Sequence, residues 1–183
     1  MKHVILFFPL FFVSFGFAQS QYQDGSVYKI NDSLSLKCDL KGLVSMSLYE
    51  ANRPDFSTIA ATYPQDLTCD EINEIERRNL IYDKFDIINA FIASFTNDEI
   101  KQFAANRTKI HLGVTIDDMG NLIYISFTFP KKCTDLTSLS PDRFGALYMR
   151  LINVKFRPID KRLKYSNGGF DVTFEEVKRA MEE

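Results

Sequence analysis

Two runs of strict alternation, joined by a turn, limit this chain more than any other feature of its sequence. Ile110, Leu112, Val114 and Ile116 alternate with His111, Gly113, Thr115 and Asp117. After Asp118-Met119-Gly120-Asn121, Ile123, Ile125, Phe127 and Phe129 alternate with Tyr124, Ser126 and Thr128. Successive side chains of a strand point to opposite faces, so each run carries one apolar and one wetter face. The turn residues suit a reversal, because glycine takes a positive φ without a Cβ clash. The pattern predicts an antiparallel hairpin over 109–129, ended by Pro130, that buries one face. Such a face needs a cover.

Helices to cover it are legible on both sides. Thr68-x-x-Glu71 is a capping box, and Ile72, Ile75 and Leu80 follow at helical spacing. Residues 84–95 are apolar on most sides and predict a buried helix. Thr96-x-x-Glu99 is a second capping box, leading into Ile100, Phe103 and Ala104. Downstream, Ser140-Pro141 places a proline at the first helical position, where its missing N–H costs nothing. Phe144, Leu147, Tyr148, Leu151 and Ile152 then form the stripe of an amphipathic helix, 141–152, laid on a sheet.

Three further strand signals complete the reading. Leu34, Leu36, Cys38 and Leu40, then Val44, Met46 and Leu48, alternate on either side of Lys41-Gly42 and predict an N-terminal hairpin. Val154 and Phe156 predict a short strand stopping at Pro158. Phe170, Val172 and Phe174 predict a last strand after Asn167-Gly168-Gly169. Ala51 to Asp66 reads as a connection, and Glu175 to Glu183 as a solvated helical tail. The expected fold class is α+β: an antiparallel sheet built as hairpin, helix, strand, strand, with an additional N-terminal hairpin and helices.

The N-terminus carries an address. Lys2 precedes an apolar run, and Gly16 and Ala18 stand two apart before Gln19-Ser20, the parts a signal peptidase needs. The apolar stretch is shorter than the about 20 residues of a membrane span, and Pro9 interrupts it. Cleavage is expected after Ala18, leaving a single exported domain over 19–183, periplasmic or at the cell surface. The residue directly after that cut is Gln19, not a cysteine, so a lipoprotein anchor is not expected. With 22 basic and 24 acidic residues the chain lacks the basic excess of a nucleic-acid binder. The spacing of Cys38, Cys69 and Cys133 fits no zinc or redox motif, so all three read as small buried hydrophobes.

The order of elements over 109–174 resembles the C-terminal domain of TonB and its relatives. The likeness is carried by Val114-Thr115-Ile116-Asp117-Asp118-Met119-Gly120-Asn121-Leu122, the helix 141–152, Val154-Lys155-Phe156-Arg157-Pro158 and Phe170-Asp171-Val172-Thr173-Phe174. It covers about 65 residues, and residues 19–108 look folded instead of forming that family's Pro-rich spacer. The resemblance implies a binding mode in which the last strand, at a sheet edge, accepts a partner segment by strand addition. Phe170, Asp171, Val172, Thr173 and Phe174 are the corresponding residues.

Chemistry leaves little trace. His111 is the one histidine beyond the leader and lies on the wetter register of its strand; there is no Gly-x-Ser-x-Gly elbow. No zinc or calcium ligand set is spaced along the chain, and Asp117-Asp118 reads as a turn. Lys155, Arg157, Lys161, Arg162 and Lys164 read as a solvated loop. No catalytic residue, cofactor or metal is expected. The leading function is a non-enzymatic envelope protein binding another protein or a peptide. The alternatives are an apolar ligand pocket between helix 84–95 and the sheet, or a hydrolase using carboxylates.

Overall fold

A computed structural model describes residues 22–39, 43–50, 64–79, 81–157 and 160–183. The expected leader, the turn at Lys41-Gly42 and most of the 51–66 connection lie outside the described residues. The strands are β1 (Val27–Lys29), β2 (Leu34–Asp39), β3 (Leu43–Glu50), β4 (Ile81–Tyr82), β5 (Lys109–Asp117), β6 (Leu122–Pro130), β7 (Phe156–Arg157) and β8 (Tyr165–Thr173). The helices are α1 (Cys69–Asn79), α2 (Lys84–Ile92), α3 (Asn97–Ala105), α4 (Thr134–Thr137), α5 (Pro141–Leu151) and α6 (Phe174–Glu182). Six strands form one antiparallel sheet in the order β1-β2-β3-β6-β5-β8. The α+β class follows directly.

The central hairpin is β5–β6. Gly120 takes a φ of 78° at its turn, and Asp117 Oδ1 accepts from the N–H groups of Met119 and Asn121 at 2.9 and 2.7 Å. Ile110, Leu112, Val114, Ile125, Phe127 and Phe129 are all buried. Helix α5 lies on this face: the Phe144 ring stacks on Phe129 at 5.8 Å and tilts against Phe127 at 5.6 Å. One residue departs from the alternation. Thr115 pairs with Tyr124 but Ile116 with Leu122, so Ile123 is the extra residue of a bulge. Leu122 takes the core place and Ile123 is only half-buried.

Three expectations need correction. The strand at Phe156 does not join the main sheet; β7 pairs with β4 as Ile81↔Arg157 and Tyr82↔Phe156. The place beside β5 is taken by β8 over nine residue pairs, from Lys109↔Thr173 to Asp117↔Tyr165, and a two-residue strand cannot compete with that ladder. The C-terminal tail is not merely solvated. Phe174 and Val177 of α6 are buried, with Ala180 and Met181 packed against the core, and α6 docks on α2 and α3. Among the cysteines, Cys38 is buried in β2, and that burial pushes its thiol up to about 11. Cys69 is instead exposed, because the first turn of α1 faces solvent, and Cys133 is half-buried.

Both predicted capping boxes form. Glu71 and Thr68 exchange bonds at the start of α1, and Thr96 and Glu99 at the start of α3. Glu99 does more than cap: Arg143 of α5 donates to its two oxygens at 3.1 and 2.9 Å and to the Ser94 carbonyl at 2.9 Å. The same guanidinium sits 5.4 Å from the Phe95 ring centroid. Arg143, then the capping bonds of Thr96, hold the Glu99 carboxyl below its ordinary range. A carboxylate depressed in the folded state adds stability above its unfolded pKa of about 4.3 and loses it as pH falls through the folded value. Arg143→Met should therefore cost about 1–3 kcal/mol near neutrality. The deficit should shrink below about pH 4. Urea unfolding at the two pH values measures both; an equal deficit at each would show that the pairing with Glu99 carries no stability.

Candidate interaction edge

β8 forms one margin of the sheet. It pairs with β5 along its whole length, and among the described residues no strand lies on its other side. Phe174 N–H donates to the Thr108 carbonyl at 3.0 Å, which sets the phase of the ladder. Bonded and non-bonded pairs alternate between antiparallel strands. Phe170 and Val172 therefore turn their main-chain groups toward β5, and Tyr165, Asn167, Gly169, Asp171 and Thr173 turn theirs outward.

Two of the outward N–H groups are already bound. Asn167 N–H donates to Glu76 Oε1 of α1 at 3.0 Å. Thr173 N–H reaches Glu176 Oε2 at 3.4 Å, in a third capping box that starts α6. The N–H groups of Gly169 and Asp171 have no protein partner among the described residues. Between these two bound groups the open edge is short and centred on Phe170.

The five residues expected at this edge divide accordingly. Phe170 is half-buried, and its ring stacks on Tyr82 at 4.3 Å. Val172 is buried in the core. Asp171 is exposed, with Thr173 half-buried at the end of the strand. Phe174 is not an edge residue: it is the first residue of α6 and fully buried among Phe91, Phe95 and Phe103. The Thr173 cap turns the chain into a helix one residue before the alternation would have ended.

On the polar face, Asp171 gathers two side chains of β5. Lys109 Nζ lies 2.6 Å from Oδ2, and His111 Nδ1 lies 2.9 Å from Oδ1. The Lys109 ammonium first, then the imidazole, holds the Asp171 carboxyl below the usual carboxylate range. Gly169 makes room for the ring, since a Cβ there would stand 2.5 Å from His111 Nε2. Its cross-strand partner is Gly113, so this part of the polar face is floored by backbone. Among the described residues no group of three or more His, Cys, Asp or Glu converges as a metal site.

Other candidate surfaces disperse. In the basic stretch, Arg162 is paired with Asp160, Lys164 lies over the Tyr165 ring at 5.3 Å, and Lys155 bonds Asn121. On the inner side of α2, Ile87, Ile88, Ala90 and Phe91 are buried. A concavity of about 500 Å³ opens elsewhere, beside Arg107, Lys132 and Asp135. Asp135 is buried there and accepts from Asn106 and Thr108 at 2.9 and 2.7 Å.

No protein-family model matches the chain, and no curated protein matches it. Among solved structures, a DUF5043 family protein from Bacteroides uniformis ATCC 8492 is similar, with a TM-score of 0.53 and 15% identity over 83% of this chain and 85% of that one. The likeness is one of fold alone. It does not single out the TonB C-terminal domain.

Sequence reasoning did not find Glu76, Tyr82 or Glu176 as the residues that bound the open edge. Only Glu176 had a local signal, the spacing Thr173-x-x-Glu176. Glu76 and Tyr82 reach β8 from 91 and 88 residues away, across a distance that periodicity does not register.

Proposed function

We propose that this protein is a non-enzymatic, exported module of the cell envelope, periplasmic or at the cell surface, that takes a strand of another protein or a peptide onto the β8 edge. The observation that carries the reading is the pair of outward N–H groups at Gly169 and Asp171, unpartnered within the described chain. Main-chain hydrogen bonds supply the affinity in strand addition, and side-chain contacts on the two faces supply selectivity. Here Phe170 and Tyr82 offer an aromatic contact on one face, and Lys109 and His111 a polar one on the other. The leader-like N-terminus supports export, and no helix among the described residues is long and apolar enough to cross a membrane. The order β6-β5-β8 with α5 against one face supports the resemblance to the TonB C-terminal domain.

The ladder's phase selects the test. Val172→Pro would break the sheet itself, because Val172 N–H points to β5; Asp171→Pro removes an outward donor and leaves that ladder in place. Peptides selected from a displayed library on the wild-type chain should bind Asp171→Ala within about threefold, since the backbone dominates. The same peptides should lose about tenfold or more on Asp171→Pro. Fluorescence anisotropy of the labelled peptides gives both values, with circular dichroism as the check on folding. Equal binding to the proline variant would place recognition elsewhere and end this reading.

A further inference from the structure

The open part of β8 is its own complement. We infer that the strand added to it is β8 of a second copy of this chain, paired antiparallel about a two-fold axis at Phe170. This rests on the strand-addition reading and names its occupant. Between the bound N–H groups of Asn167 and Thr173, the outward N–H groups of Gly169 and Asp171 remain, one residue to either side of Phe170. An axis at Phe170 sets Gly169 against the partner's Asp171, and Asp171 against the partner's Gly169. Both are positions of the bonded type, so each pair exchanges its two hydrogen bonds. Beyond them Glu76 and Glu176 already occupy the N–H groups of Asn167 and Thr173, so the ladder ends after this window.

Side chains fit the same register. Phe170 meets the partner's Phe170 at a non-bonded position, where side chains come closest, and each ring is already stacked on its own Tyr82. On the polar face Gly169 has no side chain, and His111 Nε2 lies over it. The partner's Asp171 stands across from Gly169 and so arrives at that nitrogen. Nδ1 of His111 already faces its own Asp171 at 2.9 Å, and Lys109 offsets the same carboxylate. Each imidazole thus bridges two Asp171 side chains across the axis. Nδ1 donates to the first, so Nε2 donates to the second only in the imidazolium form. The charged groups facing the ring are Lys109 on its own strand and Asp171 on β8; its partner on β6 is the uncharged Thr128. The contact is isologous, the commonest kind in homodimers.

A ladder of this length buries less than the about 1,200 Å² of a stable interface, so association is weak. Sedimentation of the full exported chain from about 10 μM to about 1 mM should show a monomer–dimer equilibrium. Asp171→Pro should weaken it about tenfold or more. His111→Ala should weaken it about threefold. Phe170→Cys, in a Cys69→Ser background, should oxidise to a symmetric disulfide dimer, because non-bonded cross-strand pairs stand about 4.5 Å apart at Cα. Asp171→Cys faces the partner's glycine and should not. A wild-type chain that stays monomeric at about 1 mM overturns the inference, whether or not the cysteine variants fold. A dimer indifferent to Asp171→Pro overturns it equally. If displayed peptides still require the β8 edge of a monomer, the inference alone falls; if they too ignore Asp171→Pro, strand addition falls with it.

Discussion

Phe174→Ala should lower the free energy of unfolding by about 3–5 kcal/mol, the cost of truncating a buried aromatic. The ring is fully buried and makes edge-on contacts with Phe91, Phe95 and Phe103 at 5.8, 5.1 and 4.9 Å between centroids. Those three rings belong to α2, the turn after it, and α3, so Phe174 is where α6 joins both helices to the end of β8. Its backbone N–H also fixes the ladder through Thr108. Domains are stable by about 5–15 kcal/mol, so the loss would be a large fraction of the total. Phe174→Leu should cost less, because most of the volume stays. Chemical denaturation of both variants checks the order. A loss below about 1 kcal/mol for the alanine variant would mean that α6 is a solvated tail after all.

Tyr22→Ala should cost about 3–5 kcal/mol by the same mechanism, although Tyr22 lies before the first strand. Its ring is buried and set edge-on to Tyr28 and Phe144 at 5.6 and 6.2 Å, and its hydroxyl donates to the Leu139 carbonyl. Burial pushes that hydroxyl's pKa upward, so it remains a donor throughout the ordinary pH range. Tyr22→Phe keeps the packing and removes the bond, and should cost about 1–2 kcal/mol. Thermal or urea unfolding of the two variants separates the contributions. Tyr22→Ala at wild-type stability would show that the N-terminal segment does not dock on α5.

The Tyr22 contact shows where sequence reading reached its limit. Residues 19–25 are polar on average, and nothing local marks one tyrosine as a core residue; its partners lie 117 and 122 residues away. Ile123 failed for a different reason. Alternation over β6 was correct from Ile125 onward, but the bulge at Thr115/Ile116 moves one residue out of phase near the turn. A single inserted residue flips every side chain beyond it, and only the pairing register reveals it. Helix α6 was legible in part. Phe174, Val177, Ala180 and Met181 form a stripe, but Phe174 also continued the β8 alternation, and the strand signal obscured the cap at Thr173.

By itself the sequence determined the local order: the hairpin β5–β6, the capped helices α1 and α3, the amphipathic α5 and the α+β class. Each is written in residue spacing, because alternation, capping hydroxyls and helical stripes act over a few residues. The tertiary structure alone decided how the hairpins and β8 are ordered in the sheet, that β7 leaves the main sheet, and which outward N–H groups of β8 around Phe170 stay open. Those outcomes depend on which long-range ladder wins and on where Glu76 and Tyr82 arrive. Contacts between residues 80 or more apart leave no period in a chain.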